Sequence, residues 1–442
     1  MKKLVRAVDG TAILVCNYTR CSLIIFVQKK HFFPVLAAWI SLNLFFLYMY
    51  AIRVSTGAMF AQLRTEFSMT GEQFGLFGSC YLYAYSLAQI PMGILLDRFG
   101  VRTISLFSVF LTLLAVFSLA NVTSLNLAYV SRSLLGLGSA AVMMSCLKFT
   151  SDQLPIHLRG IFMGAGLSVG VVGALSAGMG VPELLKVMSW RVVLNNSLLI
   201  GAPIAFLLLT FVPKNLSNQE EKKANTPVFS GVGRHLKGVL TNPSIILYGC
   251  MSIGVYTPLA TIADLWGTAF LSAKYGWDNA LASQTIVQMY VGLILGAVLL
   301  PCVNRYINNI NAMLRMAILG ILILFCVILY IPGLSIGFLV GFLVTIGMLC
   351  GAEMMCFNGA SQYATPQTSG LIIGIVNTFN MLGSGLLNQT IGKMLDMNWD
   401  GTMDNGLRVY SAENYTVALS VLVATSALCF MISFFLKSPS KK

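Results

Sequence analysis

Residues 93–102 read Gly93-Ile-Leu-Leu-Asp97-Arg98-Phe-Gly100-Val-Arg102, a short polar turn set between two apolar runs, 74–96 and 103–121. Each run is about 20 residues, the length needed to cross a hydrocarbon core as helix. Gly93 leaves room for two helices to approach closely. Asp97 can cap the positive end of a facing helix and pair with a cation. Arg98 and Arg102 stay in the polar interface beside it.

Outward from that turn the same pattern continues. Of 442 residues, 57% are hydrophobic and 10% are charged, against about 25% charged in a soluble domain. So long and apolar a chain needs lipid as its solvent, and lipid forces backbone polar groups into internal hydrogen bonds. The runs match spanning helices rather than the alternating ten-residue strands of a barrel. Spans are expected at 34–60, 74–96, 103–121, 125–148, 160–182, 191–212, 244–271, 281–303, 311–331, 333–358, 370–394 and 412–436. The polar stretch 213–243, with Glu220, Glu221, Lys222 and Lys223, divides the chain into a six-helix bundle at 34–212 and another at 244–436, followed by a tail at 437–442.

The net charge of +13 is a topology signal rather than a nucleic-acid footprint. With the N-terminus inside, 20 of the 28 Lys and Arg residues fall on cytoplasmic segments or helix ends, as the positive-inside rule requires. Six fall outside (Arg64, Lys186, Arg191, Lys274, Lys393 and Arg408), and Arg53 and Arg132 lie within spans. Both termini are then cytoplasmic, beside an anionic leaflet. Residues 1–33 read as a cytoplasmic segment. Thr11 to Gln28 is apolar but interrupted by Asn17 and Arg20. It suits a surface-lying segment, a start foreign to the protein, or a poor extra span that the charge rule disfavours. The ten cysteines form no C-x-x-C and sit mostly in apolar runs, as small packing residues.

The halves are related. Gly160, Gly164 and Gly173 recur 210 positions later as Gly370, Gly374 and Gly383, and Trp190 is matched by Trp399. A duplicated six-helix unit accounts for this.

The turn at 93–102 resembles the loop signature of the major facilitator superfamily, G-x-L-x-D-R-x-G-x-R. The resemblance covers about residues 32–436 and implies an all-α polytopic membrane protein, twelve transmembrane helices in two pseudo-symmetric six-helix bundles. In that family Gly93, Asp97, Arg98, Gly100 and Arg102 would form a gate that latches the halves in the outward-open state. The corresponding second-half position reads Asn304-Arg305 and lacks the acid. Arg132, Gly136, Gly138, Ala140 and Ala141 resemble the family's second motif. The fifth span is rich in glycine but lacks the Gly-Pro pair of drug antiporters. Ile52 to Ser55, Tyr81 to Arg98, Asp264 to Gly267 and Gly351 to Asn358 are similar to a bacterial branch related to the lysosomal dipeptide transporters of animals. That likeness implies small zwitterionic nutrients.

Four charges lie inside spans: Arg53, Arg132, Asp264 and Glu353, in spans 1, 4, 7 and 10. Each costs roughly 2.5–3.5 kcal/mol at a helix centre and needs a partner, water or a task. In the family fold these spans line the central cavity. Arg53 and Arg132 are candidate ligands for a substrate carboxylate, and Asp264 and Glu353 for an amine or a proton. Each has a plainer reading. Arg132 equally suits a structural role bonding carbonyls of span 1, Asp264 a gate pair with an arginine, and Glu353 solvation in a vestibule. His31, His157 and His235 fall outside the spans, so a proton relay would use the two carboxylates. Tyr81, Tyr85, Asn377 and Asn380 are candidate lining residues, Ser384 and Asn388 continuing the Asn377 face.

No nucleotide-binding G-x-x-x-x-G-K-[ST] and no H-E-x-x-H occur, so neither an ATP-driven pump nor a zinc enzyme is expected. The chain reads as a secondary active transporter of a small polar solute, working by alternating access. A zwitterionic nutrient (an amino acid or short peptide) with protons as candidate coupling ion is the leading reading. Export of a metabolite, siderophore or drug is the alternative. A monomer in a bacterial inner membrane is expected, with no cofactor, metal or nucleic-acid partner.

Overall fold

A computed structural model describes residues 29–214, 232–365, 368–404 and 406–436. The readings made of residues 1–28, of Glu220 to Lys223 and of the tail at 437–442 lie outside the described residues. Among those described, eleven helices are long and apolar enough to cross a membrane. One of them, Gly71–Asn121, has 51 residues, about 76 Å of helix against a hydrocarbon core of about 30 Å. It is two crossings. At Gly100 the backbone takes φ 77° and ψ 166°, a conformation that costs a residue without Cβ little. Packing confirms the reversal. A Cβ on Gly136 would fall on the Tyr81 carbonyl, and one on Gly138 would lie 2.7 Å from Thr112 Oγ1. Both arms therefore touch the same turn of span 4.

The twelve expected spans form. They are Lys29–Ala58, the two arms of Gly71–Asn121, Leu125–Ser139 with Val142–Gln153, Ile156–Leu184 and Trp190–Phe211 in the first half. The second half has Pro243–Pro258 with Leu259–Trp266 and Gly267–Tyr275, then Asn279–Ile286 with Gln288–Ile307, Ile310–Tyr330, Ile336–Cys350 with Glu353–Ser361, Ser369–Met397 and Ala412–Ile432. Spans 4, 7, 8 and 10 are interrupted, at Ala140–Ala141, at the wide turns of Leu259–Trp266, at Val287 and at Gly351–Ala352. Irregular backbone is tolerated at this depth only where protein covers it, and three of these spans, 4, 7 and 10, carry central charges. The large exposed apolar side chains, such as Phe110, Leu199, Phe206 and Phe338, give the lipid its contact surface.

Three details differ from the sequence reading. The stretch 213–243 is not polar throughout, because Val232–Leu240 is helical. Leu236 and Val239 are three apart, on one face, and pack into the second-half core. The tenth helix runs on to Ser361, which sets Glu353 deeper than a helix ending at 358 would. A two-stranded hairpin, Met403–Asp404 against Leu407–Arg408, joins spans 11 and 12.

Twelve crossings put the start of span 1 and the end of span 12 on one face, the terminal face; the opposite one is the distal face. The halves are joined at the distal face. Asn279 Nδ2 donates to the Ala58 carbonyl at 3.0 Å, Ser283 Oγ to Gly178 at 2.8 Å and Arg64 Nη2 to Arg408 at 2.9 Å. Cross-links continue along spans 2 and 11 to mid-depth, where Thr378 Oγ1 meets the Ser86 carbonyl at 3.3 Å. Among the described residues these cross-half hydrogen bonds stop at mid-depth. Beyond it a Cβ on Gly374 would still lie 3.7 Å from Ile90 Cγ1, whereas one on Gly160, Gly164 or Gly370 would meet no described atom within 4 Å.

Packing at the span 2–span 4 crossing gives a direct test. Gly136→Val drives a side chain into the Tyr81 backbone and is expected to cost about 1–3 kcal/mol, read as a lower melting temperature of the protein in detergent. Gly160→Val meets open space and should melt with the parent.

Candidate functional site: a buried charge cluster between the halves

The cluster starts from one guanidinium. Span 1 carries Tyr50, Arg53 and Gly57 at three- and four-residue steps, so they share a face. That face meets span 7. A Cβ on Gly57 would sit 2.7 Å from the Asp264 carbonyl oxygen, so glycine there lets the two backbones touch. One turn away, Arg53 Nε and Nη2 both donate to Asp264 Oδ2, at 2.8 and 2.5 Å. Arg53 is 3% exposed and Asp264 7%. The other Asp264 oxygen accepts from the Tyr290 hydroxyl of span 8. Arg53 Nη2 also donates to the Tyr256 hydroxyl at 3.0 Å. The guanidinium stands over the rings of Tyr50, Tyr81 and Tyr256, 5.4–5.9 Å from their centroids, where ring faces attract cations.

Span 7 is bent to present Asp264. Pro258 cannot donate a backbone hydrogen bond, and the following eight residues, Leu259–Trp266, run as wide π-type turns. Such turns re-aim side chains and gather at functional positions.

Arg132 is equally buried, at 3% exposed, but differently served. Its charge lies over Phe77 and Tyr81, at 5.2 and 5.3 Å from the ring centroids. Among the described residues its Nε and Nη1 have no hydrogen-bond partner. Tyr81 thus separates the two arginines and contacts both rings of charge, while its hydroxyl points to Met49 Sδ at 3.3 Å. Tyr85 stacks on Tyr81, its hydroxyl near the Asn377 amide. Glu353, 6% exposed, accepts from Asn380 Nδ2 at 2.5 Å, and the Asn380 carbonyl oxygen is left without a partner. Ser384 and Asn388 go to structural bonds with span 7, at Thr257 Oγ1 and the Ala260 carbonyl.

All four charges expected within the spans are therefore buried, and Arg53 and Asp264 are brought into contact across the halves. Tyr256 and Tyr290 complete the cluster, and the sequence reading missed both. Tyr256 lies eight residues before Asp264, a helical spacing that offered a clue. Tyr290 belongs to another span, and nothing in the sequence ties it to Asp264.

Of the two contacts expected of Asp97, a cation pair and a helix cap, this structure makes the first. Gly93 makes no close backbone approach, since a Cβ there would meet only Met144 Sδ, at an ordinary 3.7 Å. Asp97 bonds Lys148 Nζ of its own half at 2.9 Å, with 62% of its side chain exposed, rather than capping a helix of the other half. Arg102 Nη2 donates to the Leu209 carbonyl at the end of span 6, at 2.6 Å. Arg98 lies over Phe99, and Gly100 supplies the reversal between spans 2 and 3.

Residues 42–387 match the family model of the Major Facilitator Superfamily. The chain is 32% identical over 151 residues to the uncharacterized transporter YybO of Bacillus subtilis (strain 168), a match covering 32% of this chain and 33% of that one. It is 24% identical over 375 residues to the hexuronate transporter of Escherichia coli (strain K12), covering 78% and 85%. The fold matches a bacterial homolog of the human lysosomal transporter Spinster, solved in an inward-facing and occupied conformation, with TM-score 0.68, 15% identity and 91% and 96% of the two chains covered.

The ion pair is open to a stability test. Asp264→Ala leaves Arg53 buried and unpaired, at an expected cost of about 3–5 kcal/mol. Replacing both partners together, Arg53→Met with Asp264→Leu, should recover most of the lost thermal stability. Equal melting of the single and double variants would contradict the pairing.

Proposed function

The chain belongs to the Major Facilitator Superfamily, and from that premise we propose that it carries a small carboxylate-bearing solute across the membrane by alternating access, coupled to protons. One observation carries the reading. Of the two central arginines, Arg53 is neutralised by Asp264, whereas Arg132 keeps two buried nitrogens without partners. A buried guanidinium with open donors is costly until an anion fills them, and a carboxylate matches their fork. The hexuronate of the Escherichia coli relative is such an anion, which supports the same class.

The cross-half pair gives the cycle its direction of change. While the distal face is shut, Arg53 is held by Asp264. Opening that face separates spans 1 and 7 and frees Arg53, so the solute then meets two arginines rather than one. Glu353 is the proton site. Among the described residues it has an amide partner and no ion pair, so it can gain or lose a proton without breaking one. The same unpaired acid favours a second reading, in which the solute also carries an amine, as an amino acid or short peptide does. Tyr81, Tyr85, Asn377 and Asn380 line the path between the two poles.

The terminal face is read as cytoplasmic because most Lys and Arg residues lie there, and the membrane as a bacterial inner membrane. With Asp97 parked on Lys148 and the distal face joined, the conformation is inward-facing, and Asp97 takes up its gating role when the terminal face closes.

The test is uptake into proteoliposomes of labelled glucuronate, a dicarboxylate and a dipeptide, with and without an inward proton gradient. Arg132→Gln is expected to lower uptake by 10²-fold or more in kcat/KM, about 2.7 kcal/mol of lost binding in the transition state. Glu353→Gln should keep exchange but lose the response to the gradient. Uptake indifferent to Arg132→Gln in a folded, inserted protein would overturn the carboxylate assignment, and preference for the dipeptide would favour the second reading.

A further inference from the structure

Spans 2 and 11 lie side by side, and they run in opposite directions. Span 2 starts at the distal face with Gly71 and ends at the terminal face with Asp97; span 11 starts at the terminal face with Ser369 and ends at the distal face with Asp396. Each helix therefore ends in an acid level with the other's N-terminus. At the distal face that pairing is made. Asp396 Oδ1 accepts from the Gly71 backbone N–H at 3.1 Å, and Oδ2 from that of Glu72 at 2.8 Å. Both donors belong to the first turn of span 2, where helix N–H groups lack internal partners and the helix dipole favours negative charge.

The acid is held in place from three sides. The Tyr410 hydroxyl donates to it at 2.5 Å and Arg408 Nη1 at 3.0 Å. Arg64, on the short helix after span 1, fastens the hairpin from the first half, by a 2.9 Å bond to the Arg408 carbonyl and by stacking over Tyr410 at 4.8 Å. Burial pushes the Tyr410 phenol up, and its bond to Asp396 adds to that, so it stays a donor. Behind the carboxylate the backbones touch, since a Cβ on Gly71 would lie 2.8 Å from the Gly392 carbonyl oxygen. Only 13% of the Asp396 side chain is exposed.

We propose that Asp396 is a gating residue of the transport cycle: a distal latch that caps span 2 and holds the distal face shut, the counterpart of Asp97 on the terminal face. The two acids cannot both be seated, because rocking the halves to bring Asp97 onto the start of span 11 draws Asp396 off the start of span 2. The present state has one arrangement, with Asp396 on its helix and Asp97 on Lys148. Asp396 is a positioning residue. It touches neither the solute nor the proton site, and it sets how often the distal face opens. The proposal rests on the alternating-access reading above but not on the identity of the solute.

The experiment is double electron–electron resonance on the full-length carrier in nanodiscs, without solute. Spin labels go on Val187→Cys and Tyr330→Cys, exposed positions at the distal ends of opposite halves, in a background with the native cysteines replaced. Removing a buried carboxylate from a helix N-terminus is expected to shift a two-state balance by about three- to thirtyfold. Asp396→Asn should therefore raise the long-distance, distal-open population by about that factor. Tyr410→Phe should move it the same way by less. Asp97→Asn should move it the opposite way, and the Asp396→Asn, Asp97→Asn double variant should return toward the parent. An unchanged distribution, or a shift toward the closed distal face, in folded Asp396→Asn would overturn the latch. Should that variant not fold, an unchanged distribution in Tyr410→Phe would do the same. A distance shift in a carrier that moves none of the carboxylates tested would keep the latch and drop only the solute class.

Discussion

A guanidinium 3% exposed inside a membrane protein cannot stay unpaired without large cost, and Arg53 meets that demand by reaching across to the other half of the chain. The bond to Asp264 requires spans 1 and 7 to touch, and Gly57 and the wide turns after Pro258 are what let them touch. Tyr256 then accepts a further bond from Arg53 Nη2, and Tyr290 donates to the other Asp264 oxygen. One ion pair thus fixes the approach of two six-helix bundles and the plane where polar chemistry is allowed. It also makes that approach conditional, because a contact made of charge is undone by a competing charge more readily than an interdigitated apolar seam.

The interruptions in spans 4, 7 and 10 follow from the same constraint. A straight helix places polar groups at fixed intervals on one face. The cluster instead needs groups from several spans to converge on a small volume. Breaking the helix at Ala140–Ala141, at Leu259–Trp266 and at Gly351–Ala352 re-aims short segments while protein shields the loosened backbone from lipid. Glu353 adjoins such a break, Arg132 lies two turns from one, and among the described residues both keep unpaired capacity: two nitrogens without partners on one, no ion pair on the other.

The distal face shows the same physics with backbone donors in place of an arginine. Asp396 meets the start of span 2 as a carboxylate meeting a partial positive charge. Spans 2 and 11 are antiparallel and in contact, so each face of the membrane has one helix start beside one helix end.

Much of this was legible in the sequence for simple reasons. Apolar runs of about 20 residues dictate helices in lipid, the recurrence of Gly160, Gly164 and Gly173 at 370, 374 and 383 reports the duplication, and a charge in an apolar run announces itself by its cost. Composition and local pattern therefore decided the class, the twelve crossings and the four central charges. Pairing was beyond their reach. That Arg53 goes to Asp264 while Arg132 goes unserved, that Tyr290 joins them, that Asp97 sits on Lys148, and that Asp396 caps span 2 are relations between residues far apart in the chain. Such relations depend on how helices cross and where they break. Sequence spacing sets which residues share a helix face; only tertiary packing sets which face meets which.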